Sequence, residues 1–417
     1  MNDKKLYEQI LGINTPWHVE GVELKLDQGQ ILIAVEGSSA VEVCPECGER
    51  APRYDRVEKR WRHLDTCQYQ TVLIAKVPRV RCDKHGVRQV KVPWSEERSR
   101  FTALFEALVI DWLQASESIA AVAKGMRLSW EEVSGIRGRA VARGLKRRGR
   151  APLPASIGVD ETSIRRGHEY ITVINALSEP RVLDVIDDRG EPSLSRFWSQ
   201  YDRVELERVE KVAMDMWPPY IASTRKHLSM ADEKIVFDKF HILQHLGHAV
   251  DLVRRKEHRQ LHAEGDERLA KTRYLWLTHS DRLEGEARAT IEVLRRGSLR
   301  TARAFRYKEH ASQLWGYVRR GMAERVWRQW LHGALRCALE PIRVVARMIK
   351  KHWYGVINAA TSDITNAMSE SVNSQIQRIK KRACGFRSRT RFREAILFHL
   401  GGLDLYPHLP SLIHSKA

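Results

Sequence analysis

The stretch Ile157-Gly158-Val159-Asp160-Glu161-Thr162 is an apolar, strand-like run that delivers an acidic residue to its end, where polar turn formers follow. A second copy of this arrangement occurs at Val212-Ala213-Met214-Asp215. Both copies predict an aspartate at the end of a buried strand. Such aspartates are most often ordinary turn residues, but two matched contexts in one domain favour a shared site.

The chain around these two stretches alternates between strand-like and helical patterns. Strands are predicted at 156–160, 169–176, 181–186, 211–215 and 234–237. Helices are predicted from 192 to about 201, from 218 to 227 and from about 238 onward. Three strands, helix, strand, helix, strand is the order of an RNase H-like domain. In that order the first and fourth strands are neighbours, so Asp160 and Asp215 are expected to be adjacent.

Length and composition indicate a multidomain globular protein. The chain has 417 residues, of which 43% are hydrophobic and 29% charged, enough for two or three domains. No apolar run approaches the roughly 18 residues that cross a bilayer. The start, Met1-Asn2-Asp3-Lys4-Lys5, leads into a segment without the apolar core of a signal peptide. We therefore expect a cytoplasmic protein.

The chain is strongly basic, with a net charge of +19 and a pI near 9.8. An excess of this size most often indicates a polyanionic partner, because counterion release from phosphates drives binding. A membrane-surface or ribosome-associated protein would show the same balance. Charge alone does not separate these classes.

Two pairs of metal-ligating residues, each with two intervening positions, occur near the N-terminus: Cys44 with Cys47, and Cys82 with His85. Three thiolates and an imidazole can form a closed, structural Zn²⁺ site. Coincidental pairs in a hairpin domain are the alternative, and the paired spacing favours zinc. His63 and Cys67 are substitutes if one ligand is misassigned. A β-hairpin is predicted between the pairs, at 71–80.

Residues 101–150 change to a helical period. Helices are predicted at 101–114 and 117–125, the second ended by Gly125. Ser129 and Glu132 form a capping box that opens a third helix. Helix, turn and capped helix predict a helix-turn-helix whose second helix enters the major groove of DNA, although other small bundles share this pattern. The candidate DNA-binding residues follow on or beyond that helix: Arg137, Arg139, Arg143, Lys146, Arg147, Arg148 and Arg150.

The region from about 240 to 355 is helical throughout and rich in Arg and Trp. It is predicted to be a helical insertion, with a separate C-terminal helical domain as the alternative. Glu370 follows in a helical context, where a glutamate is ordinarily solvent-exposed. A basic stretch comes next and is predicted to bind phosphates beside the site. Its candidate DNA-binding residues are Lys380, Lys381, Arg382 and Arg387.

Several motifs together resemble the transposases of bacterial insertion sequences in the ISL-three family. They are Gly158-Val159-Asp160-Glu161, Ala213-Met214-Asp215-Met216, Phe237-Asp238-Lys239-Phe240-His241, Asn366-Ala367-Met368-Ser369-Glu370-Ser371-Val372-Asn373 and Gly385-Phe386-Arg387. The Cys44 knuckle, Trp61-Arg62-His63-Leu64-Asp65 and the helix-turn-helix resemble the family's end-binding region. The resemblance covers nearly the whole chain. His85 departs from it, because the family more usually has a cysteine there.

The resemblance implies a DDE transposase whose catalytic and metal-binding triad is Asp160, Asp215 and Glu370. Carboxylates suit Mg²⁺ or Mn²⁺, which prefer oxygen ligands. Two such ions roughly 3.5–4 Å apart can serve an in-line displacement at phosphorus. The expected partners are double-stranded DNA, as terminal inverted repeats and target, and a second copy of the chain. The expected location is the bacterial nucleoid.

Other acidic and basic residues near these motifs have open roles. Glu161 should point to the face opposite Asp160 if the strand continues. Asp238 and His241 are either groups that support the site or an ordinary helix start with a packed histidine. The case for Glu370 depends mainly on the resemblance.

The predicted fold is α+β and multidomain. It comprises a zinc-binding β domain at 1–98, a helix-turn-helix domain at 99–150, and an RNase H-like core at 151–245 and 356–417, interrupted by a helical insertion at 246–355. The alternative functions are a zinc and helix-turn-helix transcriptional regulator, or an RNase H-type nuclease without strand transfer. A regulator needs no metal–carboxylate centre, and a nuclease would leave cut ends without joined products.

Overall fold

A computed structural model describes residues 3–37, 42–116, 118–150, 152–165, 169–362 and 367–408. Glu117 and Asn366, which belong to two of the predicted motifs, lie outside these ranges. The chain divides into two compact units. The first unit comprises Met1–Gly149, Arg382–Cys384 and Gly402–Ala417, and the second comprises Arg150–Lys381 and Gly385–Gly401.

The first unit begins with a helix and a five-stranded sheet. The elements are α1 (Asp3–Leu11), β1 (Trp17–Lys25), β2 (Gln30–Gly37), β3 (Arg53–Arg62), β4 (Gln70–Cys82) and β5 (Gly86–Gln89). The strand order is β1-β2-β4-β3, and β5 pairs with the end of β4. Alternate residues of β2 and β4 are buried, as expected for a sheet with one face on the core.

The hairpin predicted at 71–80 is wrong. These residues lie inside β4, which runs unbroken for 13 residues and pairs with both β2 and β3. The segment contains no Gly, Asn or Asp that could form a tight turn, and its burial alternates along most of its length. Two hairpins are present instead: β3 and β4 form one between the two pairs of metal-ligating residues, and β4 and β5 form another at the second pair.

Three tryptophans organise the core beneath this sheet. The rings of Trp17 and Trp61 meet the ring of Trp94 edge-on, with centroids 5.0 and 5.4 Å apart. All three side chains are buried. Edge-to-face packing of this kind adds to the free energy of burying the rings, and it anchors the segment after β5 to the sheet.

The helical part of the first unit consists of α2 (Ala103–Ser116), α3 (Ile119–Met126) and α4 (Trp130–Arg148). The predicted capping box is present: the Ser129 hydroxyl accepts from the Glu132 backbone, and the Glu132 carboxylate accepts from the Ser129 backbone. The predicted end at Gly125 is wrong, because α3 continues to Met126. Arg127 ends it in the left-handed conformation, with φ of 54°.

The second unit contains a mixed five-stranded sheet. Its strands are β6 (Ser156–Arg165), β7 (Glu169–Ala176), β8 (Val182–Ile186), β9 (Lys211–Met214) and β10 (Ile235–Phe237), in the order β10-β9-β6-β7-β8. The helices between and after them are α5 (Glu191–Trp198), α6 (Arg203–Glu207), α7 (Pro218–His227), α8 (Ala231–Lys234) and α9 (Lys239–Ala263). β6 and β9 are parallel neighbours, as predicted.

The prediction that the first strand ends at Asp160 is wrong. β6 continues to Arg165, because β7 pairs with it antiparallel from Ile157 to Arg165. Asp160 nevertheless lies beyond the last residue pair that β6 makes with β9, which ends at Met214. Asp160 is therefore in the middle of the long strand β6 but next to the C-terminal end of the short strand β9.

The remainder of the second unit is helical: α10 (Arg273–Leu277), α11 (Gly285–Arg296), α12 (Arg300–Ser312), α13 (Arg320–Arg336), α14 (Glu340–Lys351), α15 (Trp353–Thr361), α16 (Ala367–Arg382) and α17 (Arg389–Leu400). One hydrophobic core runs from the sheet into these helices and includes Trp276, Trp327 and Trp330. Within the described ranges, no helix is both long enough and apolar enough to cross a membrane.

Candidate active site and zinc centre

Two aspartates lie at the same edge of the central sheet. The parallel pairs Ile157 with Val212 and Gly158 with Ala213 fix the register of β6 and β9. Asp160 and Asp215 each follow the last of these pairs by two residues. Both therefore lie at the edge where the parallel strands end, and both line one small cleft.

The cleft is completed by residues from two helices. Asp238 and His241 come from the start of α9, and Ser369 comes from the first turn of α16. β10 is parallel to β9 and leads into α9, which brings Asp238 to the same edge as Asp215. One cleft is thus lined by three carboxylates, from Asp160, Asp215 and Asp238. They belong to or follow three neighbouring strands, β6, β9 and β10.

The electrostatics of the cleft favour a bound cation. Burial raises the pKa of Asp160 above its ordinary value, and the Asp238 charge raises it further. Burial also raises the pKa of Asp215, with added repulsion from Glu161 and Asp160. Clustered carboxylates repel one another and resist ionisation until a positive charge joins them.

Asp238 forms the ordinary helix start that the sequence left open as one of two alternatives, and both Asp238 and His241 line the cleft. Asp238 caps α9 by accepting from the Phe240 backbone at 2.8 Å, and its other oxygen lies 3.0 Å from Nδ1 of His241. This hydrogen bond, with the charges of Asp238, Asp160 and Asp215, raises the pKa of His241 to about 9. His241 is therefore a cation at neutral pH, facing the two aspartates.

One face of α16 lies along β6. A methyl group added to Gly158 would meet Ser369 Oγ at 2.6 Å, so helix and strand are in close contact there. Asn373 donates to Oδ2 of Asp160, Gln377 Nε2 donates to Thr162 Oγ1 at 3.0 Å, and Lys380 Nζ donates to the Ser163 carbonyl at 2.7 Å. Helix and strand run in the same direction.

Glu370 lies in the first turn of this helix and is exposed. It precedes Asn373 by three residues, so the two side chains are neighbours on the helix surface. It is not among the residues that line the cleft. The structure thus brings Asp160 and Asp215 together and leaves Glu370 beside them, on the solvent side.

Glu161 is not among the residues that line the cleft, although its charge raises the pKa of Asp215. It accepts from Arg189 at 3.3 Å, and the Arg189 guanidinium lies over the rings of Tyr170 and Trp217. The Trp217 backbone donates to Asp215 Oδ1 at 2.9 Å. These contacts tie the residues around Asp215 to the neighbouring strands.

The four predicted zinc ligands form one cluster. The ligand atoms of Cys44, Cys47, Cys82 and His85 all lie within 4.8 Å of one another. Cys47 and Cys82 sulfurs are 3.8 Å apart, and His85 Nδ1 lies 3.6 and 3.7 Å from the sulfurs of Cys82 and Cys44. Tetrahedral zinc with ordinary bond lengths gives edges of about 3.8 Å between sulfurs and about 3.6 Å between sulfur and nitrogen. The cluster fits zinc.

The environment of the cluster favours the thiolate form at Cys44 but not at Cys47. Backbone N–H donors, that of Cys47 foremost, lower the pKa of the Cys44 thiol to about 6. At Cys47 a hydrogen bond from the Glu49 backbone lowers the pKa of the thiol, but burial and the neighbouring Cys44 and Cys82 raise it overall. The two substitute ligands are not in the cluster. His63 is buried, with Nδ1 2.9 Å from the Thr102 hydroxyl, and Cys67 is exposed.

Most candidate DNA-binding arginines on α4 have partners within the first unit. Arg139 Nε donates to Glu106 at 3.0 Å, and Arg143 is bound by Glu96 and Glu106 at 2.7 and 3.1 Å. Arg147 donates to Asp404 at 2.8 Å. Arg137 is buried and Arg148 half-buried, whereas Lys146 is exposed.

The C-terminal basic residues are mostly exposed. Lys381, Arg382 and Arg387 are exposed, and Lys380 is half-buried because it donates to β6. Arg150 contacts the carbonyl of Gln200 and the carboxylate of Glu205. That the C-terminal basic residues and Arg150 bind DNA stays a prediction.

Comparisons with known proteins agree with this architecture. A transposase family profile matches residues 157–396, and the zinc finger of the IS204/IS1001/IS1096/IS1165 transposases matches residues 40–85. The helix-turn-helix domain of transposase family ISL3 matches residues 90–136. The transposase of insertion element IS1557 from Mycobacterium tuberculosis is 27% identical, over 99% of this chain and 98% of that protein. That of IS1001 from Bordetella parapertussis is 26% identical, over 94% and 97%.

A zinc-finger region, a helix-turn-helix and a mixed α/β unit with an acidic sheet edge together define a transposase. The chain belongs to the ISL3 family of transposases, the family that its motifs resemble. The prediction of a transposase with a DNA-binding helix-turn-helix is confirmed.

Sequence reasoning missed several residues of the acidic cleft. Asn373 and Ser369 stood out only as part of a motif, although both contact β6 at or beside Asp160. Their spacing of four residues was an available signal, because it puts both on one helical face. Glu106, which binds two arginines of α4, gave no comparable signal.

Proposed function

We propose that Asp160, Asp215 and Glu370 bind two divalent metal ions, Mg²⁺ or Mn²⁺, for cleavage and transfer of DNA strands at the ends of an insertion sequence. The observation that carries this proposal is the parallel pairing of Gly158 with Ala213, which leaves two half-buried aspartates at one edge. Their raised pKa values and their shared cleft support a cation there. A hard divalent ion prefers such oxygen ligands.

Glu370 is proposed as the third ligand from its neighbours. Asn373 on the same face donates to Asp160, and Ser369 lines the cleft. Glu370 would supply the third carboxylate to a metal held by Asp160, and its exposed side chain is free of the sheet. DNA would approach from the side of Glu370, because the opposite side is sheet.

The chemistry follows from the ligands. When bound, the metal ions increase the nucleophilicity of the attacking oxygen and stabilise the leaving oxygen in a displacement at phosphorus. We expect water to attack first, releasing a 3′-hydroxyl at the element end, and that hydroxyl then to attack target DNA. The carboxylates hold the same positions in both steps. No covalent protein–DNA intermediate is needed.

Asp238 and His241 are proposed to support these ligands. Asp238 fixes the ring of His241 through the hydrogen bond to Nδ1, and the imidazolium balances part of the negative charge of the cleft. Asn373 orients Asp160 in the same way. Partners of metal ligands commonly tune affinity in this manner.

We further propose that the sheet of the second unit and its flanking helices form an RNase H-like core. The strand order β10-β9-β6-β7-β8, with β6 and β9 parallel and β7 antiparallel, supports this. The helices from 246 to 355 then form an insertion between the second and third acids. The domain division at 98, 150, 245 and 355 stays a proposal.

Substrate and partners follow from the same chemistry. Two element ends must meet for transfer, so we expect a homodimer or larger assembly on double-stranded DNA. The exposed Lys381, Arg382 and Arg387 are proposed to contact phosphates next to the active site. We expect the enzyme to act at the bacterial nucleoid.

The test is incubation of the purified chain with Mg²⁺ or Mn²⁺, labelled DNA carrying the element ends, and unlabelled target DNA. Metal-dependent nicks at the element boundary, followed by products joined to target, are expected. Nicks without joined products would indicate a nuclease. Binding without nicks under either metal would indicate a regulator or an inactive copy, and would overturn the proposal.

A further inference from the structure

A groove of about 1430 Å³ opens in the first unit, apart from the acidic cleft of the second. Its walls come from β3, from the segments on either side of Trp94, and from the second half of α4. Pro45, next to the zinc ligand Cys44, also lines it. The zinc finger and the helix-turn-helix therefore contribute to one surface.

The groove is strongly basic. Ten lysines and arginines line it, against two glutamates. Five of these ten cations are bound by carboxylates. Arg139, Arg143 and Arg147 on α4 are bound by Glu106, Glu96 and Asp404, and Arg60 and Arg88 contact Glu58 and Glu46.

The other five cations form a distinct set that we name the rim cations. Each is exposed, and none has an ion pair among the residues that the structure describes. The rim cations come from three segments of the chain that line the groove: Lys59 on β3, Lys91, Arg98 and Arg100 after β5, and Lys146 on α4.

We propose that this groove binds the phosphate backbone of duplex DNA through the rim cations Lys59, Lys91, Arg98, Arg100 and Lys146. The proposal rests on the proposed function, which makes DNA the substrate. Unpaired cations from three segments that line one concave surface repel one another and favour a bound polyanion. Phosphates release counterions when such cations bind them, which provides the free energy of binding.

The lining favours a duplex over a single strand. Proteins that bind single strands stack bases on exposed aromatic side chains. Among the residues that line this groove, one has a tryptophan, tyrosine or phenylalanine ring. That residue is Trp61, and only 3% of it is exposed. Contacts to phosphates fix the position of a protein on duplex DNA without reading bases.

This assignment changes the roles of the α4 arginines. The sequence predicts that they bind DNA, yet the Arg143 side chain is 8% exposed and bound by two glutamates. Glu106 is buried, so a DNA phosphate that drew Arg143 away would leave a buried carboxylate with less compensation. We infer that Arg139 and Arg143 shape the groove wall and that Lys146, one turn beyond Arg143, contacts DNA.

The test compares two double variants of the full chain. Lys59→Gln with Lys91→Gln removes two rim cations. Lys4→Gln with Lys76→Gln removes two exposed lysines of the same unit that do not line the groove. Fluorescence anisotropy with labelled duplex DNA, across a salt series, gives the affinity and its dependence on salt.

The groove variant is expected to bind about 10- to 100-fold more weakly near 0.15 M salt. The slope of log affinity against log salt should fall by about 1 to 2 in magnitude, close to 0.9 for each phosphate that the variant no longer neutralises. The control variant should match wild type in both its affinity and its salt slope. Equal losses in the two variants, no loss in the groove variant, or tighter binding of a single strand of the same length would overturn the proposal.

The same proteins separate this proposal from the proposed function. If wild type cuts element ends but the groove variant keeps the wild-type salt slope, only the groove assignment fails. If wild type cuts with no metal tested, but the groove variant shows the expected smaller slope of log affinity against log salt, the catalytic proposal fails and the groove assignment holds.

Discussion

Asn373 donates a hydrogen bond from its side-chain amide to Oδ2 of Asp160. This contact belongs to a repeating match between α16 and β6, in which residues 369, 373 and 377 of the helix meet residues 158, 160 and 162 of the strand. Four helical residues rise about 6 Å, and two strand residues span about 6.6 Å. The helix therefore fixes the orientation of Asp160 and the position of Glu370 through one contact surface.

Replacing Asn373 with Ala should lower the rate of end cleavage about 10- to 100-fold, because Asp160 loses the donor that orients it. The concentration of Mg²⁺ needed for half-maximal cleavage should rise, and binding of duplex DNA should not change. Gln375→Ala, on the same helix but without contact to Asp160, is the control. Equal effects of the two substitutions on metal dependence would refute a positioning role for Asn373.

Gly158→Ala should destabilise the second unit by about 1–3 kcal/mol, because its methyl group would lie 2.6 Å from both Asn175 Oδ1 and Ser369 Oγ. Asn175 is buried and donates to a backbone carbonyl, so it cannot move freely. Gly321→Ala, with open space around it, should leave stability unchanged or slightly raised. Denaturant midpoints measure both, and a Gly158→Ala variant as stable as wild type would contradict the close contact.

His85→Cys should retain one zinc per chain, because the sulfur–sulfur edge of a tetrahedral site differs from the sulfur–nitrogen edge by only about 0.2 Å. His85→Ala should lose the metal or bind it much more weakly. Metal analysis after dialysis, with binding of duplex DNA as a second readout, tests the pair. Full zinc retention in His85→Ala would remove His85 from the ligand set.

The first unit should lose stability as pH falls from about 6.5 to about 4. Burial lowers the pKa of His63 to about 4, whereas an unfolded histidine titrates near 6.5. Between these values the unfolded state binds a proton that the folded state does not, so the free energy of unfolding falls as pH falls. The whole loss is about 3 kcal/mol by the usual conversion.

His63→Gln should remove most of this pH dependence, since glutamine does not titrate and can bond to Thr102. Unfolding followed by the fluorescence of the tryptophan cluster, at pH 7 and pH 4.5, measures the difference between the two proteins. If the free energies of unfolding of wild type and His63→Gln fall equally between the two pH values, His63 does not cause the loss.

The sequence predicted the parts of the fold that depend on local pattern. Apolar, strand-like runs indicated the strands of the second unit, and the spacing of Ser129 and Glu132 indicated the capping box. Ligand spacing predicted the zinc cluster, because two closely spaced pairs of Cys and His can supply the four ligands of a tetrahedral site. The RNase H-like order of strands and helices predicted that Asp160 and Asp215 would be adjacent, and the pairing of β6 with β9 agrees.

What the sequence did not predict depends on partners distant along the chain. β6 extends past Asp160 because β7 pairs with it, and β4 is straight because β2 and β3 flank it. The α4 arginines are held by Glu96 and Glu106, whose proximity no local pattern indicates. The role of Asn373 likewise follows from helix packing rather than from its type.

The proposal that half-buried aspartates at the sheet edge hold the catalytic metal is tested most directly with Asp215→Asn. Asp187→Asn, an exposed aspartate of the same unit, is the matched control. Each protein is incubated with Mg²⁺ or Mn²⁺ and end-labelled element DNA, and products are resolved on a denaturing gel beside a binding assay. We predict that Asp215→Asn binds DNA like wild type but makes no boundary nick, while Asp187→Asn cuts normally. Wild-type cleavage by Asp215→Asn would contradict the proposal.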